Sequence, residues 1–306
     1  MRDFTSCFSE YAVQVSDTSC SSYSNTSCII SPNNPIPSTQ NAVVCLYKTT
    51  LSSHKHILVT LTWSKNTLSQ GLNISFNDDP STAVKLSTNS RLFRKLKGTK
   101  TLESHNTNIE VFYDLSTARY ETGPEPVDGF YVFVTFDSEI GLIIGDLAHE
   151  VTMKKLKPGS KMAKFSLISR QEHFSGNSSL YSTKARFCDS GNPHDIIIRY
   201  GGENEGLKYP ALSVCIDKKT VIRVKRLQWN FRGNQTIFLD GLLVDLMWDV
   251  HDWFYNNPSG PGLAVFMFRT RSGMDSRLWL EEKIVKKDHE DKVEFSLMIY
   301  ACKNIV

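Results

Sequence analysis

Residues 56–77, HILVTLTWSKNTLSQGLNISFN, give the clearest indication of the fold class of this chain. Its two halves, ILVTLTW and LNISF, alternate apolar and polar residues at a period of two, which is typical of strands with one buried face. The segment between them is polar and suits a turn. The stretch therefore predicts an antiparallel hairpin.

Similar runs, rich in Val, Ile, Phe, Tyr and Trp, recur from Ala42 onward, and clusters of Gly, Asn, Asp and Pro separate them. The predicted strands are residues 42–49, 56–64, 71–77, 108–115, 129–137, 139–146, 179–187, 195–202, 211–219, 220–231, 236–241, 242–254, 263–270 and 293–302. This pattern predicts an all-β, mainly antiparallel protein. A large β-sandwich and two barrel-like halves both fit it.

One segment competes for a helix, GDLAHEVTMKKLKPG (residues 145–159). Asp146 suits an N-cap, and Pro158 with Gly159 suits a stop. We therefore expect one short helix between two blocks of strands. Residues 1–40 are rich in Ser, Thr, Asn, Pro and Cys and are predicted to form a disordered tail. Residues 41–306 are predicted to form one β-rich domain, or two subdomains that divide near residues 145–160.

Charge and composition exclude several classes of protein. Lys and Arg number 35 against 32 Asp and Glu, a balance too even to indicate a nucleic-acid or membrane partner. No apolar run approaches the roughly 20 residues of a membrane-spanning helix. The N-terminus lacks the apolar stretch of a secretory signal, and the seven cysteines contain no C-x-x-C pair. We expect neither a disulfide framework nor a zinc site, and a location in the cytoplasm or nucleus.

The segment DGLLVDLMWDVHDWFYNN (residues 240–257) concentrates the titratable groups. If it is one strand, Asp245, Asp249, His251 and Trp253 share a face. An enzyme would use His251 as a general base with Asp249 or Asp245 as its orienting partner. The favoured alternative is that these charges face solvent or neutralise basic residues of a neighbouring strand.

The preceding segment, DKKTVIRVKRLQWNFRGNQ (residues 217–235), is basic and aromatic. On a sheet face such residues could follow a phosphate backbone and stack bases. Cross-strand pairing with the acidic run that begins at Asp240 is favoured over nucleic-acid binding. The residues concerned are Lys218, Lys219, Arg223, Lys225, Arg226, Trp229 and Arg232.

If a pocket exists, we expect its walls to come from the same region, with two arginines as contacts for an anion. These predicted ligand-binding residues are Trp229, Trp248, Asp249, His251, Trp253, Arg269 and Arg271. Phosphate-binding loops, dinucleotide-binding turns, serine nucleophile elbows and H-E-x-x-H zinc motifs are missing from the sequence. Neither a cofactor nor a metal is therefore predicted.

Several motifs carry a resemblance to a land-plant family catalogued as domain of unknown function 868. They are MRDF at the start, LTWSKN (61–66), GPEPVDGFYV (123–132), SVCIDKK (213–219), VKRLQWNFRGNQTIFLDG (224–241), WDVHDW (248–253) and FMFRTRSGMDSRLWLEEK (266–283). The resemblance implies a plant source and one family unit from about residue 40 to 306. It implies no reaction, cofactor or catalytic residue.

The sequence thus favours a non-enzymatic β domain that binds a small molecule or another protein. One alternative is an enzyme with a barrel-interior site that uses His251 and Asp249. Another is RNA or single-stranded nucleic-acid binding through residues 218–232.

Overall fold

A computed structural model describes residues 37–67, 70–87, 96–104, 106–148, 150, 161–176, 178–188, 191–201, 210–255, 262–271 and 294–303. These residues are almost entirely β-strand, and every strand ladder with a defined register is antiparallel. The chain divides into two compact units. Residues 39–175 form the N-terminal unit with residues 294–299, and residues 176–271 form the C-terminal unit with residues 300–303.

The N-terminal unit contains two packed sheets and a separate pair of short strands. Its strands are β1 (Thr39–Thr50), β2 (His56–Lys65), β3 (Gln70–Phe76), β4 (Asp79–Ser87), β5 (Lys97–Ser104), β6 (Thr107–Asp114), β7 (Arg119–Tyr120), β8 (Pro126–Asp128), β9 (Tyr131–Phe136), β10 (Glu139–Ile144) and β11 (Lys164–Ser175). One sheet has the order β11-β1-β2-β3-β4 and the other β10-β9-β6-β5. Edge-to-face pairs join the two sheets in a continuous apolar core, as at Trp63 with Phe130 and Phe76 with Phe136.

The C-terminal unit repeats this two-sheet plan. Its strands are β12 (Leu180–Ala185), β13 (His194–Gly201), β14 (Ala211–Ile216), β15 (Lys219–Val224), β16 (Arg232–Leu239), β17 (Leu242–Asp249) and β18 (Leu263–Thr270), and β19 (Ser296–Cys302) ends in this unit. The helix α1 spans His251–Tyr255. Strands β12-β13-β14-β15 form one sheet, and β16-β17-β18 follow one another in the second. Ring contacts of Tyr181 and Tyr200 with Phe266 pack the layers together.

Two-residue turns set the register of the hairpins. Asn77 and Asp78, Asp137 and Ser138, and Asp217 and Lys218 all have positive φ at both turn positions. That is the conformation of the type I′ turn, whose twist matches the twist of paired strands and which favours Asn, Asp and Gly. Asp240 and Gly241 form a fourth such turn, between β16 and β17.

The structure confirms the predicted all-β antiparallel class and the hairpin of residues 56–77, where Trp63 pairs with Leu72. No sheet of the described residues closes into a barrel, so the sandwich alternative describes both units. Of the predicted helix at 145–159, Ala148 and Glu150 are helical, and residues 151–160 lie outside the described part. Residues 1–36 of the predicted tail also lie outside it.

Two predicted strands were too long. The strand predicted to reach residue 231 ends at Val224, and the strand predicted to reach residue 254 ends at Asp249, where α1 follows. Cys215 is disulfide-bonded, which the spacing of the cysteines did not indicate. Cys45, Cys188 and Cys302 carry thiols.

Candidate functional site

The loop of residues 225–231, between β15 and β16, presents Trp229 to solvent. The side chain is 78% exposed, the largest value among the exposed large apolar residues. The loop backbone is nonetheless tightly held. Arg226 has φ 53°, and its carbonyl accepts hydrogen bonds from the N–H groups of Trp229 (2.9 Å) and Asn230 (3.2 Å). The Asn230 amide donates to the Lys225 carbonyl (3.0 Å).

Contacts with buried residues hold this loop in place. Leu227 is fully buried, and its N–H donates to the Pro210 carbonyl (2.8 Å). The indole N–H of Trp248, a buried residue of β17, donates to the Asn230 carbonyl (3.0 Å). Trp229 therefore projects from a loop that is held in place by hydrogen bonds and buried contacts. The sequence had predicted that it lies on the face of a sheet.

The helix α1 adds further rings beside the loop. Tyr255 is half exposed, and its hydroxyl donates to the Gln228 carbonyl (2.7 Å). The His251 ring lies 5.0 Å from the Phe231 ring and 5.4 Å from the Tyr255 ring. We call Trp229, Phe231, His251 and Tyr255 the aromatic patch.

Cations border the aromatic patch. Lys225 and Arg226 are exposed on the same loop, and the Arg232 guanidinium lies 5.7 Å from the Phe231 ring centroid. Lys218 and Lys219 lie at the opposite end of β15, roughly 17 Å along the strand from Val224. The basic residues of 218–232 are therefore spread along β15 and the following loop, and only Lys225, Arg226 and Arg232 are close in sequence to Trp229.

Asp249 and His251 do not form the predicted pair on one strand face. One carboxylate oxygen of Asp249 accepts the backbone N–H of His251 (3.0 Å), which places Asp249 at the start of α1. The other oxygen accepts from Arg232 Nε (2.7 Å). The His251 imidazole instead contacts Asp252 through Nδ1 (2.8 Å).

Asp245 is likewise engaged. Arg271 donates to both carboxylate oxygens of Asp245, at 2.7 and 2.8 Å, and the Thr236 hydroxyl donates at 2.6 Å. Burial of Asp245 opposes ionisation, and these hydrogen bonds outweigh it, so that the pKa of Asp245 is lowered. Arg269, directly opposite Asp245 on β18, contributes in the same direction. The predicted anion-binding arginines thus neutralise a carboxylate of their own sheet.

The remaining predicted tryptophan belongs to the core. Trp253 is 6% exposed and meets the Tyr200 ring edge-to-face at 5.1 Å. Lys303 covers its other side, with the ammonium 4.7 Å from the ring centroid. Of the predicted ligand-binding residues, Trp229 and His251 thus belong to the aromatic patch, Trp248 holds the loop through Asn230, and Trp253 packs in the core.

Two polar clusters of the structure were not predicted from the sequence. In the C-terminal unit, His194 Nδ1 lies 2.6 Å from Asp217 Oδ2, and Nε2 lies 2.8 Å from Asp240 Oδ2. In the N-terminal unit, Arg170 contacts Glu172 (2.6 Å), Glu125 (2.8 Å) and the Cys45 sulfur (3.5 Å). His194 with its two aspartates, and Arg170 with Glu125 and Cys45, are distant in sequence, and no local pattern predicts such contacts.

The described residues contain neither a cluster of metal ligands nor a membrane-spanning helix. Within those ranges no three His, Cys, Asp or Glu side chains are placed to hold a metal ion. None of the helices in the same ranges has the length and apolar character needed to cross a bilayer.

Comparison with known proteins places the chain by family. Residues 38–303 match the family described as plant protein of unknown function (DUF868), as the motifs at 61–66 and 224–241 predicted. No curated protein and no solved structure matches the chain. Because the match covers most of its length, the chain belongs to this plant family of unknown function.

Proposed function

We propose that this protein is a non-enzymatic interaction module that binds another protein through the aromatic patch. The observation that carries the proposal is the 78% exposure of Trp229 on a loop held by buried contacts. Exposing an indole to water is unfavourable, and burying it against a partner recovers roughly 25 cal/mol per Å² of apolar surface. A pre-ordered loop loses little conformational entropy when it binds.

The composition of the patch supports a protein partner. Trp, Tyr and Arg dominate the residues that contribute most binding energy at protein interfaces. Trp229 and Arg226 supply two of these types on the loop, and Tyr255, whose hydroxyl binds the Gln228 carbonyl of that loop, supplies the third. Interface energy is often concentrated in such a small cluster.

The charges beside Trp229 favour an acidic partner segment. Lys225 and Arg226 are exposed on the loop, while two carboxylates at and beside α1 are engaged, Asp249 with Arg232 and Asp252 with His251. Complementary charge would speed association and set specificity. We expect the partner to present Asp or Glu residues around an apolar side chain.

The contacts of Asp249 and Asp245 speak against both aspartates as orienting partners of a His251 general base, and the His251 ring contacts Asp252 instead. A general base needs a free lone pair and an orienting partner. Asp249 is engaged by a backbone N–H and by Arg232, and Asp245 by Arg271 and Thr236.

Nucleic-acid binding is supported less well than protein binding. Single-stranded nucleic acids need a series of open aromatic faces along a basic groove. Trp229 offers one open ring, whereas Phe231 is half-buried and contacted by His251 and by Arg232.

Site-specific photocrosslinking tests the proposal. The protein with Trp229→p-benzoylphenylalanine is expressed in plant cells, and the cells are irradiated. Adducts are then sought in the cytoplasm and the nucleus, which are the compartments that the sequence predicts. Phe238→p-benzoylphenylalanine is the matched control, because Phe238 is 74% exposed on β16, which begins next to the same loop. Crosslinked segments are identified by mass spectrometry.

We expect a discrete protein adduct from position 229 that is missing from position 238. Its crosslinked segment should be rich in Asp and Glu, and Arg226→Glu should lower its yield. Equal adducts from both positions, or a nuclease-sensitive adduct, would contradict a protein-binding patch. A specific adduct to a neutral or basic segment would support protein binding by the aromatic patch and would contradict the expected acidic partner.

A further inference from the structure

His194 connects the tips of two hairpins in the C-terminal unit. The residue begins β13 and is 6% exposed. Its ring reaches Asp217, in the β14–β15 turn, and Asp240, in the β16–β17 turn. The two turns belong to different sheets of this unit, so one imidazole joins both layers.

The Asp217 turn has a hydrogen-bonding arrangement that occurs three times among the residues that the structure describes. Asn77, Asp137 and Asp217 each open a two-residue turn, and each backbone N–H donates to the carbonyl of a residue on the adjacent strand. The side-chain oxygen of each accepts the N–H of that same residue. The strand residues are Leu58, Asn108 and Asp195, respectively.

The Asp217 turn differs from the other two turns by an additional side-chain contact, to His194. Asp217 uses Oδ1 for the N–H of Asp195, at 3.0 Å, which leaves Oδ2 to face the imidazole at 2.6 Å. The reciprocal backbone bonds anchor Asp217 independently of His194. Asp240 has no such reciprocal bonds in the described contacts of its turn.

The chemistry of the three groups defines the charge state of the arrangement. Ionised carboxylates only accept hydrogen bonds, so both ring nitrogens must carry protons for both contacts to be hydrogen bonds. The bridged form is therefore an imidazolium between two carboxylates. The titratable groups that face the ring are Asp217 and Asp240, with Lys219 acting on Asp217 and Cys188 lying beside Asp240 across Gly191.

We propose that His194 is a pH-sensitive clasp: its protonated ring holds the β16–β17 turn to the β14–β15 turn, and loss of one ring proton releases the β16–β17 turn. This inference is independent of the proposed interaction function. It rests on the two distances, on the burial of His194 and on the unequal anchoring of the two aspartates.

Deprotonation should break the contact with Asp240 rather than that with Asp217. A neutral imidazole keeps one N–H. The shorter contact, to the anchored Asp217, is the better site for that proton, which leaves an Nε2 lone pair facing the Asp240 carboxylate. Two acceptors then repel each other, and Asp240 turns away.

The electrostatic balance agrees with this geometry. Burial lowers the pKa of His194, and the hydrogen bonds and charges of Asp217 and Asp240 outweigh burial, so that the net pKa is raised. A raised pKa means that the clasp is closed at low pH and opens as pH rises through the folded-state value. The relevant range therefore lies above about pH 6.5.

Nuclear magnetic resonance tests the clasp directly. The ring shifts of His194 and the amide exchange of Gly241 and Leu242 are followed from about pH 5.5 to 9, with each rate divided by its intrinsic rate. The critical variant is Asp240→Asn. An amide can donate to a neutral imidazole or accept from a protonated one. Asn before Gly is also the preferred pair of a type I′ turn, so the variant should fold.

In the wild type, protection of the β16–β17 turn should fall several-fold as His194 deprotonates, because the contact with Asp240 is the one that is lost. Asp240→Asn should abolish this pH dependence, whereas Asp137→Asn, at the matching turn position of the N-terminal unit, should leave it unchanged. A His194 pKa at or below the ordinary value would overturn the clasp. So would equal pH dependence in the wild type and in Asp240→Asn.

Discussion

The indole of Trp248 lies across Gly233, its partner on the neighbouring strand β16. A Cβ atom on Gly233 would come within 2.4 Å of the indole ring. The absent side chain thus creates the space that the indole fills. Since the Trp248 N–H also binds the Asn230 carbonyl, this pair links the core to the loop that displays Trp229.

Replacing this glycine should therefore loosen the loop. Gly233→Ala forces the indole to move, and we expect a loss of about 1 to 3 kcal/mol in the free energy of unfolding. Urea denaturation measures the loss, and amide exchange of Asn230 reports the loop. Asn234→Ala, at the next and exposed position of β16, should change stability by less than about 0.5 kcal/mol. Equal losses in both variants would refute the packing role of Gly233.

Truncation of an exposed tryptophan and of a buried one should change the free energy of unfolding by different amounts. Trp229→Ala should leave the free energy of unfolding within about 0.5 kcal/mol of the wild type, because its side chain is exposed. Trp253→Ala removes a buried ring and should cost about 3 to 5 kcal/mol. Thermal unfolding followed by circular dichroism checks both. A large loss in Trp229→Ala would mean that this residue is structural.

The bidentate pair of Asp245 and Arg271 predicts a pH effect. The pKa of Asp245 is lowered in the folded state, so its contribution is present above the unfolded value of about 3.9 and is lost as pH falls through the folded value. Both partners are partly exposed, at 26% and 38%, which limits the contribution to about 0.5 to 1 kcal/mol. Urea denaturation of Asp245→Asn at neutral and acidic pH tests this. A difference from wild type that persisted at low pH would contradict the ion pair.

The buried Arg170 cluster should be sensitive to truncation. Glu172 is fully buried, and Arg170→Ala would leave its carboxylate without the guanidinium, at a cost of about 3 to 5 kcal/mol. Arg223→Ala, on an exposed position of β15, is the control and should change stability little. Urea denaturation compares the two. Equal small effects would show that the carboxylates are stabilised by other groups.

The same cluster shields a thiol. Burial raises the pKa of Cys45 to about 12, although Arg170 acts in the opposite direction. Because the thiolate is the reactive form, Cys45 should resist iodoacetamide at about pH 8 until the protein unfolds. Cys188 and Cys302 are half-buried and should react before Cys45. Mass spectrometry of alkylated peptides gives the order, and early alkylation of Cys45 would contradict its burial.

Strand periodicity predicted the fold class because many strands have one apolar face, as in residues 56–77. Strand β11 was missed because its inward positions include Arg170 and Glu172, whose charges interrupt the alternation. Strand β17 was predicted too long because Asp249 ends it by binding the His251 N–H, which periodicity does not report.

The candidate site was predictable in part. Trp229 and His251 were identified from their residue types and neighbours. The support of Trp229 by Trp248, and the tightly hydrogen-bonded loop, depend on backbone contacts that no residue pattern specifies. His194 lies 23 residues from Asp217 and 46 from Asp240, so only the folded topology brings them together.

If Trp229 anchors a protein partner, the affinity for the photocrosslinked partner should depend on the Trp229 indole. Dissociation constants are measured for the wild type, Trp229→Ala and Phe238→Ala by isothermal titration calorimetry. We predict about thirtyfold weaker binding for Trp229→Ala, which corresponds to about 2 kcal/mol, and little change for Phe238→Ala. Unchanged affinity in Trp229→Ala would contradict the claim.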